Sequence, residues 1–326
     1  MRIFSNPSAC FALFLAAIAV FFPGCASRAA ASAEEYYSIG MAYFQLAEAE
    51  SDAGRKSEKY REAEKWLNRA RAADKTRTAS EYNLGRIAFE TGRFDEASDY
   101  FERILKTDPD NIMALKAAAY CKIKTRDFEQ AESFYTRVLA LTPESMDDGY
   151  NYALVCYAME KYEKTEEILS KYPFALSENN DALLLYARSL SKLDRIEAVD
   201  SYAQLIANGN TDSRVRYEYA LLLERGEFFA KALEEYRVLV NAIPADQVEP
   251  SKAFIRFTIA RLLLTADSEN TEGIGALNTA VSEGFADMDA LEALLEDERI
   301  VSSNKEEIRK IIGNIQNKDE EEKTEP

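Results

Sequence analysis

Few side chains in this sequence are suited to making or breaking bonds. The 326 residues include no histidine, which removes the commonest general base and the commonest metal ligand. Neighbouring carboxylates such as Glu34 and Glu35 could serve glycoside chemistry. With 57 acidic residues, however, such pairs arise by chance on solvated helix faces. We therefore expect no enzymatic activity, no metal and no cofactor.

A fixed interval of 34 residues organises the chain. A bulky residue recurs at this interval, as Phe94, Phe128, Tyr162 and Ile196. Three places later a second series follows, as Ala97, Ala131, Thr165 and Val199. This period predicts stacked helix–turn–helix units, because one helix pair cannot bury its own apolar face without a neighbour.

The period and its residues resemble the tetratricopeptide repeat. The segment 79–109 fits best: Leu84 and Gly85 take the Leu-Gly pair, Phe101 the later aromatic position and Pro109 the closing proline. The resemblance implies an all-α fold, a right-handed α-solenoid (superhelix) of about six to seven repeats with a C-terminal helical cap. The units are predicted at 34–73, 79–111, 112–145, 146–178, 180–212, 213–246 and 251–284, an array over 34–284. An insertion at 49–59 lengthens either a helix or the loop of the first unit.

The N-terminal residues differ in kind from the rest. Arg2 precedes an apolar run over 9–22, too short for a comfortable membrane span, which predicts an export signal. The run ends in Gly24 and Cys25, which resemble the end of the lipobox of bacterial lipoproteins, although the preceding Phe-Pro departs from that pattern.

The lipobox resemblance implies a lipoprotein signal peptide over 1–24 and acylation of Cys25, for example by palmitate. A tether over 25–33 would then connect the lipid to the first helix. Ordinary signal cleavage and an uncleaved anchor remain alternatives. The protein is thus expected to be exported and lipid-anchored to a bacterial membrane, at its periplasmic face, the outer membrane or the cell surface.

The net charge of −17 bears on the kind of partner. Nucleic acid and anionic lipid surfaces would repel such a body, because their affinity comes mainly from Lys and Arg meeting phosphates. We therefore expect protein or peptide partners in the cell envelope and no nucleic acid.

The resemblance also implies a binding groove, because in this family certain positions of the first helices face the inner surface of the array. Carried over to this sequence, they predict a partner-binding groove of Tyr37, Tyr82, Arg86, Phe89, Lys116, Tyr120, Tyr150, Tyr157, Arg188 and Tyr217. The same rule places Phe44 and Phe257 on the inner face. Tyr, Phe and Arg are frequent in binding hot spots, but aromatic residues at helical spacing can equally form core, and both interpretations stay open.

A clamp for a partner's C-terminal carboxylate, known from some family members, is broken here. Lys116 and Asn151 match parts of it, but Tyr120, Asp181 and Leu185 replace its other polar residues. We therefore expect a partner segment that presents apolar or aromatic side chains. The predicted function is a non-enzymatic, membrane-anchored scaffold. The alternative is a small-molecule-binding accessory lipoprotein of a transport system, with a pocket lined by residues such as Tyr82 and Tyr150.

Two further features leave alternatives. Cys121 and Cys156 fall near the same position of adjacent repeats, where they are either buried small hydrophobes or an inter-repeat disulfide. A Gly-Phe turn at Gly284 resembles the one that precedes covering helices in some bacterial arrays. It predicts capping helices over 285–315, with a partner-binding helix as the alternative. The acidic end, 316–326, is predicted to be a disordered tail.

Overall fold

The structure, a computed structural model, describes residues 32–76, 78–244, 249–266 and 271–324, and within these ranges every regular element is an α-helix. The helices are α1 Ala33–Glu48, α2 Ala53–Ala73, α3 Thr78–Glu90, α4 Phe94–Thr107, α5 Ile112–Lys124, α6 Phe128–Leu141, α7 Met146–Ala158, α8 Tyr162–Leu169, α9 Pro173–Glu178, α10 Asn180–Lys192, α11 Ala198–Ala207, α12 Ser213–Arg225, α13 Phe229–Ala242, α14 Lys252–Ala266, α15 Thr271–Ser282, α16 Met288–Glu296 and α17 Ser302–Thr324. The predicted all-α class of helical repeats is confirmed.

The predicted signal peptide, Cys25 and most of the tether lie outside the described residues. Within the described ranges, every helix is too short or too polar to cross a bilayer.

The repeat period reappears in the backbone of the turns inside the helix pairs. A residue with positive φ follows the first helix of successive pairs, as Gly92, Arg126, Glu160, Asp194 and Glu227. The next amide in each turn donates to a carbonyl of the helix, as in Asp127 N to Lys122 O at 2.8 Å and Lys161 N to Cys156 O at 2.9 Å. This closure satisfies carbonyls that the helix end would otherwise leave unpaired.

The chain divides into two compact units, residues 1–100 and 101–326. In the first unit the insertion lengthens the helices, since α1 has 16 residues, α2 has 21, and only a short loop joins them. Asp52 ends that loop by accepting the Arg55 amide at 2.8 Å. Gly40 permits close packing of the pair, because a Cβ there would lie 2.8 Å from Leu67 Cγ.

In the second unit the helices pack in consecutive pairs, α5 with α6, α7 with α8, α10 with α11, α12 with α13, and α14 with α15. Polar caps fix where first helices begin: Asn111 accepts the Ala114 amide, Ser145 the Asp148 amide. The second helix of the 146–178 unit is interrupted, and Pro173 begins the short α9.

Cys121 and Cys156 are both buried, and no disulfide joins them. Burial raises the pKa of the Cys156 thiol to about 12, a shift that the nearby Glu132 carboxylate increases. The structure therefore contains no disulfide between these repeats, and the two side chains fill space as small apolar groups.

The end of the second unit has its own apolar core. The buried residues of this core include Ala253, Phe257, Ala260, Leu264, Leu277, Ala280, Phe285, Leu291, Leu294, Ile300, Ile308, Ile311, Ile312 and Ile315. The isoleucine face of α17 is thus occupied by α14 to α16 of the same chain. The prediction of a disordered tail from residue 316 differs from the structure, in which α17 continues to Thr324. Glu and Lys are good helix formers, so this charged sequence can extend an existing helix.

Candidate partner-binding clefts

All ten residues predicted to form a groove are partly exposed, so none is fully sealed within the core. The first unit holds Tyr37, Tyr82, Arg86 and Phe89, and the second unit holds the other six. Two further inner-face residues were wrongly assigned. Phe44 is 3% exposed beneath the Arg86 guanidinium, and Phe257 is 5% exposed.

In the first unit the predicted groove residues are held by neighbours. Asn83 Nδ2 donates to Tyr37 Oη at 3.1 Å. Burial raises the pKa of the Tyr82 hydroxyl. Phe89 meets Phe94 edge to face, with ring centroids 5.2 Å apart. These contacts fix the rings at the surface of the unit.

Lys116 does not offer a free cation. Its Nζ lies 2.6 Å from Oδ1 of Asp148, a carboxylate that is 2% exposed, and Thr142 Oγ1 donates to the other oxygen of Asp148 at 2.8 Å. Because a buried carboxylate requires a counter-charge, the main role of Lys116 is to neutralise Asp148. Sequence alone could not show this, since the aspartate belongs to the next repeat.

Tyr120 and Tyr150 remain half-buried on the first helices of their repeats. The Lys124 ammonium lies 5.2 Å from the centre of the Tyr120 ring. Burial raises the pKa of the Tyr150 hydroxyl, and the Asp181 carboxylate adds to the rise. Both side chains stay at the surface.

The second unit contains two adjoining clefts on its first helices. The smaller cleft, about 230 Å³, is lined by Tyr157, Arg188, Ser191, Lys192, Tyr202, Glu218, Leu221, Leu222 and Arg225. The larger cleft, about 660 Å³, is lined by Arg214, Tyr217, Glu218, Leu221, Glu249, Pro250, Ser251 and Phe254. Glu218 and Leu221 of α12 line both, so the two clefts share a wall.

Glu218 organises this wall through three hydrogen bonds. Arg188 donates from Nε to Oε2 at 2.9 Å and from its Nη2 to Oε1 at 2.8 Å, and Tyr202 Oη donates to Oε2 at 2.9 Å. The paired Glu218 carboxylate raises the pKa of the Arg188 guanidinium, mainly through their hydrogen bonds. Burial followed by the Glu218 charge also raises the pKa of the Tyr202 hydroxyl.

Aromatic and apolar side chains complete the clefts. Tyr157 meets Tyr162 edge to face at 5.3 Å, which orients the ring at the smaller cleft. In the larger cleft, Leu221 and Phe254 are 40% and 38% exposed. Exposed apolar side chains that line a concavity are a common feature of binding surfaces.

The clefts only partly coincide with the predicted groove. Three of the predicted residues line the clefts, Tyr157 and Arg188 in the smaller one and Tyr217 in the larger one. Sequence reasoning missed Lys192 and Arg225, although the two cations lie 33 residues apart, at the same position of adjacent repeats. That recurrence was the signal that could have found them. It also missed Glu218, whose role depends on its partner Arg188.

Family comparison gives two matches along the chain. Residues 54–121 match the model of the tetratricopeptide repeat, and residues 124–202 match the model described as anaphase-promoting complex, cyclosome, subunit 3. No curated protein matches the sequence.

Several solved structures align with parts of this chain at low identity. A tetratricopeptide repeat protein from Parabacteroides merdae ATCC 43184 is 19% identical over 79% of this chain and 98% of its own, with a TM-score of 0.49. YrrB, described as a tetratricopeptide repeat protein with an unusual peptide-binding site, is 18% identical over 59% and 96%, also at 0.49. MamA is 16% identical over 51% and 91%, at 0.48.

The helix pairs recur at the interval seen in the sequence, and both family matches fall on them. The inner turns at Arg93, Asp127, Lys161, Arg195 and Phe228 all close with the same backbone hydrogen bond to the preceding helix. The helix pairs within residues 54–121 are therefore similar to the tetratricopeptide repeat, whose model they match.

Proposed function

We propose that this protein is a lipid-anchored scaffold of the bacterial cell envelope that binds a polypeptide segment in the two clefts of its second unit. Tetratricopeptide folds are generally non-catalytic scaffolds for protein interaction. The observation that carries the proposal is the shared wall of Glu218 and Leu221. It joins a polar cleft to an apolar one on the exposed side of the first helices.

The clefts suit a flexible chain better than a rigid protein surface. The smaller concavity is bordered by Tyr157 and the larger by Tyr217 and Phe254, all partly exposed, and each concavity has room for a side chain. Rings of this kind offer large contact area with little loss of conformational entropy. No bond is made or broken in this role.

Site-specific photocrosslinking tests the binding surface. A photoreactive amino acid at Leu221, in the shared wall, should give polypeptide adducts in native envelopes. The matched control is Val238 on α13, which is 48% exposed and lines neither cleft. Equal adducts at both positions, or none at Leu221, would contradict the proposal. A small molecule retained by the purified protein in native mass spectrometry would instead favour the accessory role in transport.

The membrane anchor rests on the sequence around Cys25 and needs its own test. Mass spectrometry of the N-terminal peptide should show acyl chains on Cys25, and Cys25→Ser should release the protein from membranes. Cys10→Ser, within the same export region, should leave both results unchanged. An unmodified N-terminus beginning after residue 25 would indicate ordinary signal cleavage and refute the anchor.

A further inference from the structure

We infer that the bound segment is acidic: a carboxylate side chain of the partner enters the smaller cleft, and a nearby apolar side chain enters the larger one. This inference rests on the proposed function and specifies its ligand. It revises the expectation of a purely apolar or aromatic segment, which was drawn from the broken carboxylate clamp. The cations involved here lie at other repeat positions.

The lining of the smaller cleft carries three cations and one carboxylate. The cations are Arg188, Lys192 and Arg225, and the single carboxylate in the lining is Glu218. Both oxygens of Glu218 are already engaged, by the two donors of Arg188 and by the Tyr202 hydroxyl. Arg188 therefore neutralises Glu218, and Lys192 and Arg225 leave the cleft positive in a protein whose net charge is −17.

These two cations are available to a ligand. Lys192 is exposed and has no ion-pair or hydrogen-bond partner for its ammonium among the described residues. Arg225 donates from Nη1 to Asp194 Oδ1 at 3.0 Å, but the two side chains are 61% and 80% exposed. A pair this exposed is worth little, so the Arg225 guanidinium can turn towards a carboxylate in the cleft at small cost.

The larger cleft favours an apolar side chain in the same ligand. Tyr217, Leu221, Pro250 and Phe254 make much of its lining, and Leu221 continues into the smaller cleft. An extended peptide advances about 3.3 Å per residue, so one segment can place side chains in both clefts. A basic segment would leave Lys192 and Arg225 uncompensated, and like charges in contact oppose binding.

A charge-reversal experiment tests the inference. Random peptides are selected by display on the full-length protein in mild detergent, and the best is synthesised. We expect selected peptides to carry Asp or Glu within a few residues of Leu, Ile or Phe. The variant Lys192→Glu with Arg225→Glu should lower the affinity for the synthetic peptide about tenfold or more. Replacing the peptide's acidic residue by Lys should restore affinity for the variant.

The control variant is Lys231→Glu with Arg237→Glu on α13. Lys231 is exposed, Arg237 pairs with Glu272 at the surface, and neither lines a cleft. This variant changes the net charge by the same amount. It therefore reports only the long-range electrostatic effect on peptide affinity, which we expect to be about twofold or less. Thermal unfolding of both variants should match the parent protein.

The outcomes separate the two proposals. Peptides that lack acidic residues but lose binding in Leu221→Ala would refute the acidic ligand and leave the cleft function standing. The same holds if both charge variants weaken binding equally. If no peptide is enriched over a bare surface, or if Leu221→Ala binds normally, the peptide-binding clefts themselves are refuted.

Discussion

Helices α12 and α14 carry an aromatic ring at the same repeat position, yet the two rings meet opposite environments. Tyr217 on α12 is partly exposed and lines the larger cleft. Phe257 on α14 is buried because Phe285 stacks on it, with ring centroids 4.1 Å apart and planes 10° from parallel. A repeat position therefore specifies a face of the helix, while the next element decides whether that face is open.

Lys116 on α5 shows a third outcome for this position. It is partly exposed, but its charge is committed to the buried Asp148 of α7. The same register thus gives a cleft residue, a core residue and an ion pair. Differences in the packed neighbour account for all three.

The largest loss of stability is expected for Phe285→Ala, which removes the ring that covers Phe257. Removing this buried ring would cost about 3–5 kcal/mol of folding free energy and uncover Phe257. Tyr217→Ala, at the open counterpart, should cost less than about 1 kcal/mol. Urea denaturation followed by circular dichroism measures both. Similar losses would mean that Tyr217 is a core residue as well.

Lys116→Met should have the next largest effect. Asp148 would lose its counter-charge, at a cost of about 1–3 kcal/mol, since the partial exposure of Lys116 moderates the penalty for a buried ion. In an Asp148→Asn background the same change should cost less than about 0.5 kcal/mol. Additive losses in this double-mutant cycle would argue that the pair is not coupled.

Two turn substitutions should act with opposite sign. Gly284, in the turn before Phe285, has φ +100°, so Gly284→Ala should destabilise the protein by about 1 kcal/mol. Glu227, in the turn after α12, has φ 63°, and Glu227→Gly should stabilise it by about 0.5 kcal/mol. Thermal melting of each variant measures the change. A shift in the same direction for both would contradict the role of backbone strain.

The smallest effect concerns Asp297, between α16 and α17. Hydrogen bonding from Arg299 lowers the pKa of this carboxyl to about 2. Because the folded pKa is depressed, its contribution to stability is present above the ordinary value of 3.8 and is lost as pH falls towards 2. The pair is partly exposed, so the loss should stay below about 1 kcal/mol.

An NMR titration of the Asp297 carboxyl checks this assignment. In Arg299→Gln the pKa should rise towards its ordinary value. No change would mean that Arg299 is not its cause.

Several features of the fold were predictable because they depend on neighbours along the chain. The helix that begins after Asn111 follows from a local cap, and the turn at Gly284 follows from the need for positive φ. The periodic positions also placed Tyr157 and Arg188 on first helices, where the structure leaves both partly exposed.

The clefts were less predictable, because their shape depends on residues from different repeats. Phe254 enters the larger cleft from α14, whereas Tyr217 enters it from α12. Glu218 becomes a shared wall only when Arg188 and Tyr202 approach it. The position of a residue within its repeat does not predict its distance to residues of other repeats.

The sequence by itself determined the 34-residue period, the helix pairs and the face of each helix that carries the aromatic residues. Periodicity and capping act within a few residues, so they are written directly in the order of amino acids. Only the tertiary structure decided that Tyr217 stays open, that Phe257 is covered and that Lys116 is neutralised. Burial and charge pairing depend on which side chains meet in space, and here those side chains come from other repeats or from the closing helices.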